Sequence, residues 1–420
     1  MTALAASYQQ QFESKTARLP AWLNEIQAQA FAAYNTQGLP TRKTEQWKYS
    51  NLEALKSQSY QFSDMRFKEN TESEHVQIID GEVAIPNALP SGVQILSLSD
   101  ALTSYQAQLQ QLLSKSKPSA HCFENINRAL MQQGLVVVIE QDTLLEKPLT
   151  LEICHQQANT AHQLAIFYLV AAGAKAMVVE NYHGAQDSNY FINQSSHVLL
   201  EQNANLTHIK VIEEGADSHH ISKLNAVQQR ASTLCCHSFA FNGGLVRSDI
   251  ESDLMESESH IEMNGLYVTS AKQHVAHYTK VNHLCPHASS DELYKGVLGG
   301  ASQAVFNGTV YVEKDAQKTN AAQQNKNLLL SKQAEIDTKP QLEIYADDVK
   351  CAHGATVGQL EEKALFYLQS RGISKAEAVS LLINGFAGDL IEKLGDAHVH
   401  LKEKLHQRLE NYLRQAYGIK

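Results

Sequence analysis

From residue 135 to 345 the sequence is a succession of short β-prone runs, at 135–139, 149–153, 176–179, 206–212, 234–241, 265–268, 305–312 and 342–345, separated by Gly, Asn and Asp. Helical periodicity sustained over about ten residues is nearly absent across this stretch. A short run cannot bury an apolar face by itself, whereas coils stacked on one another give every strand a neighbour and form one continuous core. A small residue precedes several runs, at Ala174, Ala204, Ala231, Ser259, Ala304 and Ala334, with separations of about 30, 27, 28, 45 and 30 residues. That spacing suggests the coils of a solenoid, with Gly and Asn at corners that need left-handed backbone. A β-sandwich would share many of the same short strands.

Helical patterns flank this region. Pro20 fits the first turn of a helix, where its missing N–H costs nothing, and Trp22, Leu23, Ile26, Ala30 and Phe31 recur at helical spacing until Gly38 and Pro40. Residues 1–60 therefore read as a helical region and 61–120 as a mixed connection, with a strand at 93–98 and a Gln-rich helix after Ser99. The solenoid is expected over 121–350 and a C-terminal helical domain over 351–420. Within that domain, Gly372 closes one helix and Ser374 with Glu377 forms a capping box for the next. Apolar stripes follow at Leu382, Phe386, Leu390 and Leu394, and at Leu401, Leu405, Leu409 and Leu413 on a helix over about 397–417.

The run Ile-Tyr-Ala-Asp-Asp-Val-Lys-Cys-Ala-His-Gly-Ala-Thr-Val-Gly-Gln-Leu, at 344–360, sets Cys351 two residues from His353 where an extended segment is expected to give way to a helix. Residues two apart on a strand point the same way and can share one soft metal or sulfur atom. Gly354 and Gly358 then suit a backbone turn. Two ligands fall short of the four that a closed zinc site or an iron–sulfur cluster generally takes, so the pair could serve only in a site completed elsewhere. The competing reading is a buried small hydrophobe beside a hydrogen-bonded histidine.

The same run resembles the signature of the SufD family, subunits of the SufB, SufC and SufD iron–sulfur cluster assembly complex. Further segments resemble it too: Pro40 to Ser50, with Glu45, Trp47 and Tyr49; Glu292-Leu-Tyr-Lys-Gly-Val-Leu; Val305-Phe-Asn-Gly; Asp315-Ala-Gln-Lys-Thr-Asn; Asn325-Lys-Asn-Leu-Leu-Leu-Ser; and Phe366 to Gly372. The resemblance implies a mainly β protein, a right-handed parallel β-helix flanked by N-terminal and C-terminal helical domains. It implies a non-catalytic scaffold that pairs with a SufB-like subunit through the β-helix and docks a SufC-like ATPase through the C-terminal helices. His353 would be the leading ligand or proton handler and Cys351 a supporting ligand for a transient iron–sulfur cluster shared with the partner, none being held stably by the chain alone. Reduced flavin is linked with the family's complexes, and self-pairing of the isolated chain is left open. The alternatives are the SufB paralogue and a secreted-type carbohydrate-active β-helix enzyme.

Other constellations carry less. His274, His277, His283, Cys285 and His287 tempt a zinc reading, but a separation of three puts His274 and His277 on opposite strand faces and Pro286 interrupts the rest, so surface or corner histidines are expected. Cys235 and Cys236 are adjacent and should face opposite sides, one of them core. Asp249, Glu251, Asp253, Glu256, Glu258 and Glu262 read as a wet outer face. No Gly-x-x-x-x-Gly-Lys-Ser/Thr or Gly-x-Gly-x-x-Gly loop occurs. A formal charge of −10 argues against a nucleic-acid partner. The six cysteines without Cys-x-x-Cys spacing, and a start that lacks a basic then apolar stretch, point to a reducing cytoplasm. The longest apolar run, Leu164 to Ala174, is too short to span a bilayer as a helix, which needs about twenty residues.

Overall fold

Each coil of the chain places one strand in each of two sheets, so that the sheets grow side by side as the sequence advances. The computed structural model describes residues 2–15, 19–68, 71–114, 120–186, 188–395 and 398–418. It is a parallel β-solenoid of about 8 turns, with 43% of residues in strands and helices at both ends of the chain. One sheet has ten strands, among them Thr160–Val170, Phe191–Leu200, His219–Gln228, Leu245–Leu254, His274–His283, Gln303–Val312 and Glu335–Ile344. The other has eleven, running through Leu149–His155, Lys175–Gly184, Asn205–Glu213, Thr233–Asn242, His260–Thr269, Ser289–Leu298 and Asn320–Leu329 to Lys350–Gln359. Antiparallel pairing among the described strands is confined to the first turns, where Val93–Ser97 meets Leu135–Ile139 and Val76–Ile79 meets Glu82–Ala84.

One corner explains the sequence echo. Gly173, Asn203, Ala231, Glu258, His287 and Lys318 all take positive φ, and each is followed by a small buried residue, Ala174, Ala204, Ser232, Ser259, Ala288 or Thr319. The gap of 45 residues in the echo closes once Ala288 and Thr319 are included at this corner, while Ala304 and Ala334 belong to the other sheet. Four of the six left-handed positions carry neither Gly nor Asn, so this corner is held by its buried neighbour more than by backbone permissiveness.

Both sheets are covered on their outer faces as well as inside. The interior cluster runs from Val76 and Ile78 through Leu206, Leu234 and Ile261 to Phe306. Outside the eleven-stranded sheet, Ile209, Phe239, Leu266 and Val297 pack under Ile383, Ala387 and Leu390 of the helix Lys375–Glu392 and Leu405, Leu409 and Leu413 of the helix Val399–Tyr417. The N-terminal helices Ala3–Glu13 and Ala21–Gln37 cover the ten-stranded sheet. Two-sided burial is why Thr160–Val170 is apolar almost throughout, every residue of it being buried.

The helical flanks follow their signals. Ser374 and Glu377 cap one another reciprocally. The stripe on that helix is rotated from the expected one: Ile383, Ala387, Leu390 and Ile391 are buried, whereas Leu382 and Phe386 lie at its margin. The last helix begins at Val399; its expected first residue, Ala397, lies outside the described residues. A helix at Cys122–Leu130 was not anticipated. It is wholly buried, and its polar residues hid its pattern because they bond to strands: Asn127 Nδ2 donates to the Leu164 and Asn193 carbonyls at 3.0 and 2.8 Å.

Candidate functional site

The segment with Cys351 and His353 does not turn into a helix; it forms a complete ten-residue strand, Lys350–Gln359, the last of its sheet. Gly354 and Gly358 lie within this strand rather than at a turn. It stacks on Asn320–Leu329 in register, Cys351 over Ala321 and His353 over Gln323. Ala321 and Gln323 are buried and inward-facing, so Cys351 and His353 sit on the inner side of the final coil, where no further coil follows. Cys351 is half-buried against the small cluster of Val310, Val312, Ala316, Ala321 and Ala346, and burial pushes its thiol pKa up. His353 is exposed. The open end also exposes Ile344, Tyr345 and Val357, and the neighbouring helix Glu362–Ser370 buries none of its residues, leaving Phe366 at 74% exposure. An unpaired strand edge beside apolar side chains is a template on which a further strand can pair.

Beneath His353 the strand registers stack a column inside the solenoid that is polar at both ends and apolar between them: Gln323, then Glu292, Met263, Cys236 and His208. Glu292 Oε2 accepts from Thr279 Oγ1 at 2.7 Å and Gln323 Nε2 at 3.1 Å, and burial raises its carboxyl pKa to about 7. Further down, Glu180 accepts from the Tyr168 and Tyr182 hydroxyls at 2.6 and 3.0 Å and pairs with His208 at 2.9 Å. Burial alone would raise the Glu180 pKa, but His208 and Lys210 hold it well below the usual carboxylate range. Members of this column lie about thirty residues apart in sequence, and no local pattern announces them.

On the outer face of the ten-stranded sheet, the Pro40 to Ser50 segment clamps a second polar cluster. The Arg247 guanidinium lies 3.6 Å from the Trp47 ring centre and 3.8 Å from that of Tyr278, and bonds both Asp249 oxygens at 2.8 and 2.9 Å. Around it lies a cleft of about 640 Å³, bordered by His121–Asp249, Lys223–Glu124 and Lys223–Glu251 pairs at 3.3, 3.2 and 2.9 Å. The charges neutralise one another, which suits a structural clamp. Asp249 is therefore not on a wet face: the N-terminal segment covers it, and Glu251 is drawn into the same network.

The histidine cluster also departs from expectation. His274, His277 and His283 are buried, and His287 alone occupies an exposed corner, with φ +62°. His274 faces outward to Ser50 at 3.0 Å, while His277 faces inward between the Tyr267 and Tyr294 rings, so the two do lie on opposite faces. Cys236 is core and Cys235 only half-buried, as adjacency required. Among the described residues no helix is long and apolar enough to cross a membrane.

Comparison with known proteins falls on this architecture. The family model for the SUF system FeS cluster assembly SufBD core domain matches residues 153–386, and that for the SufBD protein N-terminal region matches 2–83. The chain is 32% identical to the iron–sulfur cluster assembly protein SufD of Escherichia coli, with 86% of each chain covered. It is 31% identical to an iron–sulfur cluster assembly SufBD family protein of Synechocystis, covering 85% of this chain and 84% of that one. With SufD of Bacillus subtilis the identity is 24%, covering 89% and 91%.

Proposed function

The chain belongs to the SufBD family of the SUF iron–sulfur cluster assembly system, and on that premise we propose that it is a non-catalytic scaffold subunit whose open end, with His353 and Cys351, helps to receive a nascent cluster. The observation that carries this reading is the unfinished final coil: two ligand side chains on the inner face of an edge strand, beside exposed Tyr345 and Val357. A second scaffold subunit of SufB type would continue the sheet and supply the missing ligands. Iron and sulfide are cargo here, delivered to a site that neither chain completes by itself. SufD proteins among the relatives support the SufD-like position over that of the SufB paralogue.

ATP hydrolysis is assigned to a SufC-like partner docked on the C-terminal helices. Phe366, Tyr367 and Leu381, all exposed, are the surface proposed for it. Removing everything after Ile373 would also strip the cover from Ile209, Phe239 and Leu266, so substitution is the better probe than deletion. The test is anaerobic co-expression of the complex with His353→Ala in this subunit. The expected result is an assembled complex with reduced iron and sulfide; normal content of both would refute the role. In the same preparation, Phe366→Ala with Tyr367→Ala should weaken capture of the ATPase subunit.

A further inference from the structure

We propose that Asp80, His155 and His162, at the opposite end of the solenoid from Cys351, form a binding site for one borderline divalent metal ion of the zinc class. Asp80 occupies the tight turn between Val76–Ile79 and Glu82–Ala84, with φ +49°. Its backbone N–H donates to the Cys154 carbonyl at 3.0 Å, which sets the turn beside the end of Leu149–His155. His162 enters from Thr160–Val170 of the other sheet. One ligand atom from each of the three lies within 4.8 Å of the others, and both histidines are 0% exposed.

Two imidazoles and one carboxylate suit zinc or another borderline cation, and leave magnesium and calcium, which prefer oxygen, poorly served. An independent observation points to a ligand. His155 is fully buried between the His162 and Tyr190 rings, at centroid distances of 4.4 and 5.4 Å, and neither of its ring nitrogens has a hydrogen-bond partner. Leaving buried polar atoms unpaired costs about 1–3 kcal/mol each, and a metal bond removes one such deficit.

The surroundings resemble an orienting shell. His162 Nδ1 lies 2.6 Å from Ser63 Oγ, which is itself 3.2 Å from the Asp80 carbonyl. With Nδ1–H donating to Ser63, Nε2 faces the Thr160 hydroxyl at 3.0 Å and Asp80 Oδ1 at 3.9 Å, so a bound ion would take the place of the Thr160 contact. The backbone amides of Gln156 and Gln157 hold that same Oδ1 at 2.9 and 3.3 Å. Donor atoms around tetrahedral zinc stand roughly 3.4 Å apart, so loading needs a contraction of about 1 Å. The His155 ring, held by no hydrogen bond, can supply it.

Seven strand-to-strand steps separate Leu149–His155 from Lys350–Gln359. At about 4.8 Å per step the two sites are some 34 Å apart, so an ion here cannot join a cluster at Cys351. Its role is to pin the Asp80 turn across the first coil. The inference does not rest on the assembly reading and fails or stands separately from it.

The experiment uses the full chain carrying Cys351→Ser and His353→Ala, so that zinc at the open end is not counted. Zinc is titrated against a competing chelator, with metal content measured after dialysis and the visible spectrum recorded after cobalt substitution. One equivalent of zinc, a higher thermal midpoint when loaded and a four-coordinate cobalt spectrum are expected. Asp80→Asn keeps an acceptor for the Gln156 and Gln157 amides, so its fold is preserved; it should lose affinity at least tenfold and lose the cobalt bands. His155→Gln should do the same. Failure of the parent chain to retain zinc, or equal retention in both variants, would overturn the assignment.

Discussion

Lowering the pH should unfold this protein well before most of its carboxylates protonate, because its buried histidines are neutral. Burial pushes His121, His219, His237, His274, His277 and His283 down to about 4 and His197 to about 3. In the unfolded chain each would titrate near 6.5. A group whose folded pKa is depressed lets the unfolded state bind more protons between the two values, so stability rises with pH through that window and is lost as pH falls through it. Each of these histidines contributes about 3 kcal/mol over the window, and seven contribute roughly 20. Halved for solvent entry, that sum still rivals the about 5–15 kcal/mol that holds a typical domain together. Glu292, raised to about 7, opposes the trend by a single proton between pH 4.5 and 7. Near pH 5.2 unfolding should take up about five protons net, a slope of about 7 kcal/mol per pH unit. Urea titrations followed by fluorescence of buried Trp47, with proton uptake measured in weakly buffered solution, provide the assay. A urea midpoint that stays constant from pH 7.5 to 5, or uptake of no more than one proton, would refute the reasoning.

Replacing Arg247 by Met should remove about 3–5 kcal/mol, because Asp249 is left buried beside His121 without its bidentate partner. The check is earlier unfolding together with a red shift of Trp47 emission. Gly296→Ala places a methyl 2.2 Å from Tyr267 Cε2 and 2.5 Å from Asn327 Oδ1, and overpacking of that kind costs about 1–3 kcal/mol. Gly354→Ala meets nothing within 4 Å and should leave the thermal midpoint near that of the parent, which separates a filled coil from the open one.

The fold is legible in most apolar strands, although Thr160–Val170 shows in the sequence only as part of an apolar run without strand boundaries, and illegible where a strand is polar. The runs at 206–212, 234–241 and 305–312 lie within observed strands of nine or ten residues. Phe191–Leu200, His219–Gln228 and Asn320–Leu329 were passed over because Asn193, Gln194, Ser222, Gln323 and Asn325 break the apolar signal. Those side chains are buried nonetheless, because neighbouring coils satisfy them: Asn325 Nδ2 donates to the Tyr267 hydroxyl at 3.1 Å and the Tyr294 carbonyl at 3.3 Å, and Gln323 Nε2 to Glu292 Oε2 at 3.1 Å. A polarity pattern read along the chain cannot register a partner that lies one coil away. Asp80, His155 and His162 were missed for the same reason, since only the first corner brings them together.

The final coil shows what that dependence on neighbours means for function. Inward positions of Asn320–Leu329 hold Gln323, Asn325 and Asn327, all buried because a strand lies on either side. The matching positions one step on are His353, Ala355 and Val357, and the same inward direction leaves them exposed because only one side is filled. A solenoid meant to end there would carry a polar cap. Here the last strand keeps Val357 at 50% exposure, beside Tyr345 at 62%. The last strand thus leaves its outer edge unfilled, and His353 and Cys351 stand on the side on which the described residues place no further strand.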